Sequence, residues 1–365
     1  MKLVVAFRAD ASSQMGTGHV MRCLTLANAL RTKGATCTFI CREHAGNLID
    51  YIRDQNFEVI CLPLELESTT QRQFRDEYEE WLGCSEEDDA NQVIEALSQA
   101  NIKFDWIVVD HYGISEKWES RVRSLTNKIM VIDDLANRKH DCDLLLDQTF
   151  GRTKADYKPW IPSNAQIIVG THFALLRPEF AGWRDRSIVY RKLPQLNKLL
   201  ISMGGADQYN YTMQIIDSFR KFSENSNLQI TVVLGRLYQF EDELKEFVRT
   251  SGLNVSLLFE VSNLAEIMHD KDLCIGAAGG SVWERCSLGL PMILIGIADN
   301  QKVILQQLEL TRSAIVVSAN DCSDIGNIAT SLSQSELKNL SKNSLALCDA
   351  NGANRVIEKL MNLTV

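Results

Sequence analysis

Two glycines followed by a histidine are the residues best suited to chemistry near the start of this 365-residue chain. Gly16, Gly18 and His19 follow the first apolar run and precede the first amphipathic stretch. Glycines at a strand-to-helix junction let the backbone approach a bound group and direct N–H groups towards it. The positive end of a helix disfavours imidazolium, so we expect a neutral His19 that can accept a proton. A general base and a residue that only caps or packs at the helix start both fit this position.

The second half of the chain contains two further glycine runs. Gly205 belongs to the run Met-Gly-Gly-Ala-Asp, and Gly279 and Ser281 belong to the run Gly-Ala-Ala-Gly-Gly-Ser. A diphosphate can lie against the backbone N–H groups of such a helix start without a lysine. Glu284, three residues after Ser281, is placed to accept hydrogen bonds from ribose hydroxyls. The same spacing fits a capping box, and both roles can hold together.

Polar residues also follow several predicted strands. Asn300 and Gln301 come after the apolar run at 292–295, where they suit sugar hydroxyls or the start of the next helix. No Ser-His-Asp order or H-E-x-x-H run is present, so serine-hydrolase and metalloprotease chemistry have no support. Three aspartates end strands of the first half, where paired carboxylates for metal binding and a helix cap or turn are both open: Asp110, Asp133 and Asp134.

The composition excludes other classes of function. The ten cysteines include no C-x-x-C pair, so we expect reduced cysteines rather than a zinc site. The formal net charge is −9, from 38 basic and 47 acidic residues, which argues against a nucleic-acid partner. Residues 65–89 hold ten acids against two bases, a local charge of −8. This segment predicts a solvated insertion, with cation binding as the alternative.

Alternating strands and helices must position these residues. Short apolar runs alternate with amphipathic stretches, a pattern typical of βαβ units around a parallel sheet. The first helix is the clearest, because its apolar residues recur every three or four positions. The predicted strands are Leu3–Phe7, Thr36–Ile40, Phe57–Leu62, Trp106–Asp110, Lys128–Ile132, Asp143–Leu146, Gln166–Val169, Lys198–Met203, Gln229–Leu234, Val255–Phe259, Asp272–Ile275 and Met292–Ile295.

The pattern predicts an α/β protein of two Rossmann-like domains. An arginine-rich polar segment at 177–197 interrupts the alternation, and we interpret it as a linker. Residues 1–176 then form an N-terminal domain with the glycine-histidine loop. Residues 198–365 form a nucleotide-binding domain with a C-terminal helical tail. Ligands of doubly wound sheets bind beyond the carboxyl ends of the strands, so we expect the two domains to face a central cleft.

The loops taken together resemble a known family. The motifs that carry the resemblance are R-A-D-A-S-x-Q-x-G-x-G-H-x-M-R-C-L-T-L-A, V-D-H-Y-G, I-D-D-L-A-N-R, L-L-R-P-E-F, M-G-G-A-D and G-A-A-G-G-S-V-W-E-R-C-x-L-G-L-P with A-D-N-Q. They are similar to those of the UDP-sugar hydrolases of pseudaminic acid biosynthesis, the PseG family. The resemblance runs in order from residue 2 to about residue 310, and the first motif is long enough to be specific.

The resemblance implies a GT-B-type, MurG-like fold and a defined reaction. That reaction is hydrolysis of UDP-2,4-diacetamido-2,4,6-trideoxy-β-L-altropyranose to the free sugar and UDP. It implies attack of water on the anomeric carbon with inversion, without a metal or another cofactor. The catalytic histidine of the family's G-x-G-H motif corresponds to His19. Sugar and nucleotide contacts are implied for Tyr112, Arg177, Asn210, Glu284 and Asn300.

Two other classes of function remain open. The chain could be a glycosyltransferase that passes the sugar of a UDP-sugar donor to an acceptor, because fold alone does not decide function. The N-terminal half lacks the apolar or basic patch expected of a transferase with a lipid acceptor. A non-catalytic protein that binds nucleotide sugars is the second alternative. No signal peptide or membrane-spanning run is recognisable, so we expect a cytoplasmic protein without membrane association, and we favour a monomer.

Overall fold

Two parallel β-sheets, one in each half of the chain, form the framework of the protein. The computed structural model describes residues 2–64, 77–100, 103–205, 207–225, 227–297 and 301–364. The chain divides into two units. The first comprises Met1–Leu175 and Gly352–Val365, and the second comprises Leu176–Asn351.

The strands of the first unit are β1 (Val4–Ala9), β2 (Thr36–Arg42), β3 (Glu58–Leu62), β4 (Phe104–Asp110), β5 (Thr126–Ile132), β6 (Leu144–Asp147) and β7 (Gln166–Val169). Among the described residues their order is β3-β2-β1-β4-β5-β6-β7, and neighbouring strands are parallel. The direction of the chain across the sheet reverses between β1 and β4. The loops after these two strands therefore border the crevice in which doubly wound sheets bind ligands.

Helices cover both faces of this sheet. They are α1 (Gly18–Thr32), α2 (Ile49–Asp54), α3 (Glu77–Leu82), α4 (Glu86–Ala100), α5 (Glu116–Val122) and α6 (Lys154–Tyr157). Residues of α1 and α2 share one core cluster with alternate residues of β1, and residues of α4 and α5 share another. Because β1 and β4 are buried on both faces, both read as nearly continuous apolar runs.

The strands of the second unit are β8 (Lys198–Ser202), β9 (Gln229–Leu234), β10 (Asn254–Phe259), β11 (Leu273–Ala277), β12 (Met292–Gly296) and β13 (Ile315–Ser318). Their order among the described residues is β10-β9-β8-β11-β12-β13, so the reversal falls between β8 and β11. Both predicted glycine runs follow these two strands. The helices are α7 (Pro178–Tyr190), α8 (Tyr211–Asp217), α9 (Glu241–Ser251), α10 (Leu264–His269), α11 (Ser281–Ser287), α12 (Lys302–Leu310), α13 (Ile325–Ser331) and α14 (Gln334–Leu347). No helix in the described ranges is long and apolar enough to cross a membrane.

The segment 177–197 is part of the second unit and is not a linker, because it contains α7. Phe180 of α7 is fully buried. Arg184 donates to the carbonyls that end α11 and α14, and Arg191 donates to the carbonyls that end α10. Guanidinium groups near the C-terminal ends of helices satisfy carbonyls that have no partner within the helix. The arginines that suggested an exposed linker therefore fasten α7 to its neighbours.

The C-terminal tail packs on the first unit, whereas the sequence assigned it to the second domain. It forms α15 (Gly352–Thr364), whose buried residues join the core cluster of β1 and α1. Trp106 of β4 donates a 2.9 Å hydrogen bond to the hydroxyl of Thr364. A side chain at Gly352 would meet the carbonyl oxygen of Ala174 at 2.2 Å, so glycine is required for this close approach. The amphipathic pattern predicts a helix here but does not specify which sheet its apolar face covers.

We expect Leu360→Ala in α15 to lower the free energy of unfolding by about 2–5 kcal/mol, the cost of truncating a buried leucine. Leu360 is 1% exposed and lies in the core of the first unit. Met361, the next residue of the same helix, is 45% exposed, so Met361→Ala should change stability by less than about 0.5 kcal/mol. Urea unfolding of both variants measures the difference. Equal effects would contradict the docking of α15 described above.

Candidate active site

His19 lies in the first turn of α1, at the carboxyl end of β1. Its side chain is 8% exposed, and its Nδ1 atom lies 2.6 Å from Oδ1 of Asp110. Asp110 is the last residue of β4, and the register of the sheet pairs it with Ala9, the last residue of β1. The adjacent strand ends therefore bring the imidazole and the carboxylate together.

The carboxylate of Asp110 determines the tautomer of His19. Burial alone raises the pKa of Asp110, but Arg22 and His19 outweigh it and hold the pKa well below its usual range. An ionised carboxylate can only accept hydrogen bonds, so we assign the proton of the neutral His19 ring to Nδ1, on the 2.6 Å contact with Asp110. In the neutral ring Nε2 then keeps its lone pair and can accept a proton. This is the arrangement that a general base requires.

Arg22 holds the carboxylate in place. Its Nε and Nη2 atoms donate to the two oxygens of Asp110 at 2.5 and 2.6 Å, and its Nη1 atom donates to Asp134 at 3.1 Å. A bidentate guanidinium fixes both the position and the plane of a carboxylate. Arg22 was not among the residues predicted from the sequence, although residues at i and i+3 such as His19 and Arg22 share a helix face.

Tyr112 packs its ring against His19. The two ring centroids are 4.6 Å apart and the planes meet at 86°, an edge-to-face contact. Burial, followed by the negative charge of Asp134, raises the pKa of the Tyr112 hydroxyl above its ordinary value. Tyr112 therefore stays protonated at neutral pH and acts as a hydrogen-bond donor. The structure brings this residue, implied by the resemblance, next to His19.

The three candidate aspartates have separate roles. Asp110 and Asp134 are joined through Arg22, as described above. Asp133 pairs with Arg138 at 2.6 Å and accepts hydrogen bonds from the Ala136 N–H and the Tyr157 hydroxyl. Asp133 is thus a turn-forming residue, which was one of its two interpretations. In the described part of the chain, no group of three or more His, Cys, Asp and Glu side chains is arranged to hold a metal ion.

A second group of charged side chains is fully buried beside β1. Asp89 of α4 accepts from Arg8 at 2.6 and 3.1 Å, from Arg42 at 2.7 Å and from the Trp118 indole at 2.7 Å. Arg8 also pairs with Asp10 at 2.7 Å. The side chains of the four charged residues are 0% exposed. They fasten the start of α4 to the carboxyl ends of β1 and β2.

The acidic segment is therefore not a solvated insertion where the structure describes it, in residues 77–89. Besides Asp89, the mostly buried Glu86 accepts from the Ser115 N–H at 2.9 Å and from its hydroxyl at 2.7 Å. Charge composition predicted exposure because the arginines that pair with Asp89 are distant in sequence. Residues 65–76 of the predicted insertion lie outside the described residues.

We expect Asp89→Ala to lower the free energy of unfolding by about 3–5 kcal/mol, because it leaves two buried guanidinium groups short of a partner. Glu87, in the same helix, forms an exposed pair with Arg121 at 3.0 Å. Glu87→Ala should cost no more than about 1 kcal/mol. Chemical unfolding of both variants, followed by circular dichroism, checks the difference. A smaller loss of unfolding free energy for Asp89→Ala than for Glu87→Ala would contradict the buried network.

The two glycine loops of the second unit are joined by Arg285. Its guanidinium donates to the carbonyls of Ser202 and Ala277 at 3.1 Å each, and to the Ser281 hydroxyl at 3.2 Å. A side chain at Gly276 would meet the Ser202 carbonyl at 2.3 Å. A side chain at Gly205 or Gly279, in contrast, would meet no other atom within 4 Å. Arg285 was not predicted from the sequence, since a fully buried arginine inside a helix gives no pattern that separates it from a surface arginine.

Glu284 lies in α11 but is not part of a capping box with Ser281. The residue before the helix is Gly280, and no side chain caps the first turn. Burial raises the pKa of the Glu284 carboxyl, and nearby Arg177 opposes this rise. Arg177, which precedes α7, lies 3.5 Å from Glu284 and 3.2 Å from Glu179. The structure thus brings Arg177 and Glu284 together.

The remaining candidate residues are held by their own loops. The Gly16 N–H donates to the Ser12 carbonyl at 2.9 Å. A side chain at Gly18, the first residue of α1, would meet no other atom within 4 Å. Asn210, at a positive φ of 51°, accepts from the Tyr238 hydroxyl at 2.7 Å. Gln301 accepts from the Ile297 N–H at 3.0 Å. Asn300 lies outside the described residues.

Comparison with known structures decides the fold class. The structure of MurG from Acinetobacter baumannii matches with a TM-score of 0.69 at 12% sequence identity, over 99% of this chain and 100% of that one. The fold is of the GT-B type. Residues 199–360 of this GT-B chain match the family model "Glycosyltransferase family 28 C-terminal domain".

Relatives of the GT-B chain match both of its units. An uncharacterized protein of Methanocaldococcus jannaschii is 26% identical over 80% of this chain, and the chain spans about half of that protein's length, 55%. The UDP-2,4-diacetamido-2,4,6-trideoxy-β-L-altropyranose hydrolase of Campylobacter jejuni is 28% identical over 82% of this chain and 93% of its own length.

Proposed function

We propose that this protein hydrolyses UDP-2,4-diacetamido-2,4,6-trideoxy-β-L-altropyranose to the free sugar and UDP, a step of pseudaminic acid biosynthesis. The observation that carries the proposal is the contact of 2.6 Å between His19 Nδ1 and Asp110, which leaves Nε2 to act as a base. The similarity to the hydrolase of Campylobacter jejuni supports the choice of substrate.

The proposed reaction is a direct displacement by water. The water oxygen forms a bond with the anomeric carbon, and its proton passes to Nε2 of His19. The bond from the anomeric carbon to the β-phosphate oxygen breaks, and its electron pair leaves with UDP. Attack from the face opposite UDP inverts the anomeric carbon. The Asp110 carboxylate stabilises the imidazolium that forms, as the aspartate does in a Ser-His-Asp triad.

In this proposal the second unit binds the nucleotide. Gly205 and Gly279 leave open space in which a diphosphate can approach the backbone. Glu284 is partly buried beside Arg177, and its carboxylate can accept hydrogen bonds from ribose hydroxyls. The Arg177 guanidinium can pair with the negative charge of the diphosphate. Gly16, Gly18, Ser281, Asn210, Asn300 and Gln301 remain proposed substrate contacts. UDP is a good leaving group, and the proposal therefore needs no separate acid.

Release of UDP without an acceptor tests the proposal. Purified protein is incubated with the UDP-sugar and EDTA, and UDP is measured by a coupled assay, while the configuration of the first sugar product is followed by NMR. Hydrolysis predicts UDP in stoichiometric amount with the free sugar, inverted at the anomeric carbon. No UDP under these conditions would contradict metal-independent hydrolysis, and the same incubation with Mg²⁺ in place of EDTA shows whether hydrolysis itself fails.

A glycosyltransferase is the second candidate, because residues 199–360 match a glycosyltransferase domain model. It predicts that UDP appears only after an acceptor is added, with the sugar recovered on that acceptor. A non-catalytic protein would bind the UDP-sugar without releasing UDP under either condition. The same assay, run with and without candidate acceptors, therefore separates the three functions.

A further inference from the structure

Three aromatic rings form a continuous cluster beside His19. Tyr112 contacts the imidazole edge-on, and Tyr78 lies 5.2 Å and Trp81 6.0 Å from Tyr112, measured between ring centroids. Tyr78 and Trp81 also contact one another at 5.1 Å. Trp81 and Tyr112 are stacked with an interplanar angle of 29°. The cluster therefore extends from the proposed base to α3, which carries Tyr78 and Trp81.

The position of α3 is fixed by packing. A side chain at Gly113 would meet the Tyr78 carbonyl oxygen at 2.3 Å, so the two backbones are in close contact next to Tyr112. Four residues after α3, Glu86 binds Ser115, and Asp89 forms the buried ion pairs with Arg8 and Arg42 described above. The acidic segment is thus held at the carboxyl edge of the sheet, where His19 lies.

Tyr78 and Trp81 of α3 are partly buried, unlike two other tryptophans of the first unit. Trp106 and Trp118 are 0% exposed and belong to the core, whereas Tyr78 and Trp81 are only partly buried. Leu82, the last residue of α3, is fully buried and anchors the helix. Leu82 is therefore a core residue, whereas Tyr78 and Trp81 remain partly exposed near the proposed base.

We propose that Trp81 and Tyr78 form the wall of the sugar subsite and select a sugar with few hydroxyl groups. This inference rests on the proposed function. The proposed substrate carries two acetamido groups and a methyl group in place of the 6-hydroxymethyl, so its ring presents methyl and C–H groups. Such groups pack favourably on aromatic faces, whereas hydroxyl groups would lose water there without gaining a partner.

Binding measurements with three ligands test the wall. UDP, UDP-N-acetylglucosamine and the proposed UDP-sugar are titrated calorimetrically into the His19→Asn protein, which limits turnover, and into the same protein with Trp81→Ala. We expect Trp81→Ala to weaken binding of the UDP-sugar about tenfold, the scale of one aromatic contact, and to leave UDP binding unchanged. Preference for the UDP-sugar over UDP-N-acetylglucosamine should fall by a similar factor.

Two further variants separate substrate contact from damage to the fold. Trp81→Phe keeps an aromatic face and should restore most of the affinity. Trp160→Ala changes another partly buried tryptophan of the first unit and should leave all three affinities unchanged. Equal weakening of UDP and UDP-sugar binding by Trp81→Ala, or no weakening of either, would overturn the inference.

The outcomes of the two proposals are distinguishable. If the wild-type protein releases no UDP without an acceptor but Trp81→Ala selectively weakens UDP-sugar binding, hydrolysis is refuted and the aromatic wall stands. If UDP is released and Trp81→Ala binds the UDP-sugar normally, hydrolysis stands and the wall is refuted. A protein that binds the UDP-sugar no more tightly than UDP also refutes the wall.

Discussion

Asp110→Asn is expected to lower kcat by about 10³–10⁴-fold with little change in KM, the scale known for a reversed histidine tautomer. The asparagine amide can donate to Nδ1 of His19, which the carboxylate cannot. The proton of the neutral ring then moves to Nε2, and the atom that should accept from water becomes a donor. The rate of UDP release measures kcat, and nitrogen NMR of the imidazole measures the tautomer.

A purely structural role for Asp110 predicts a different result. The variant would then lose stability, and the activity of its folded fraction would be nearly normal. Asp141→Asn is a matched control, since Asp141 forms a partly exposed ion pair with Arg123 in the same unit. Normal kcat in a folded Asp110→Asn protein, or an unchanged tautomer, would remove Asp110 as the residue that positions His19.

His19→Asn is expected to lower kcat by about 10²–10⁴-fold, the contribution of a general base, while UDP binding is retained. The asparagine side chain fills part of the space of the imidazole but cannot accept a proton at neutral pH. UDP binding should persist because the proposed nucleotide contacts lie in the second unit. Steady-state UDP release and calorimetric titration with UDP measure the two quantities.

The control for this variant is His172→Asn, which changes an exposed histidine of the first unit. Its kcat should equal that of the wild type. If His19→Asn also turns over at the normal rate, His19 has no part in the reaction and the proposed mechanism fails. If instead UDP affinity falls along with kcat, His19 contributes to the fold or to nucleotide binding.

Local sequence was sufficient to locate the strands. Each strand predicted from an apolar run agrees with the structure to within two residues at either end. This accuracy has a physical cause, since strands buried on both faces of a parallel sheet need continuous apolar runs bounded by turn residues. Among the strands of the described residues, β13 alone was not predicted. His19 was also found locally, because its glycines and helix start are contiguous in the chain.

The interaction partners of the candidate residues could not be predicted from the local sequence. Arg22 is three residues from His19, but Asp110 is 91 residues away, and only the pairing of β1 with β4 makes it the partner of both. Before that pairing is known, an aspartate at a strand end is equally a cap, a turn or a ligand. The same limit applied to Glu284, whose spacing fitted a capping box that the helix start at Ser281 does not form.

By itself, the sequence determined the class of the sheets, the extent of their strands and the loop that carries His19, because these depend on residues that are neighbours in the chain. Only the tertiary structure decided that 177–197 contains the packed helix α7, that α15 belongs to the first unit and that Asp89 is buried. Each of these depends on pairing between distant residues, as Asp89 does with Arg8 and Arg42. Charge counts suggested exposure, since burial of a charge is decided by a partner that the local sequence does not contain.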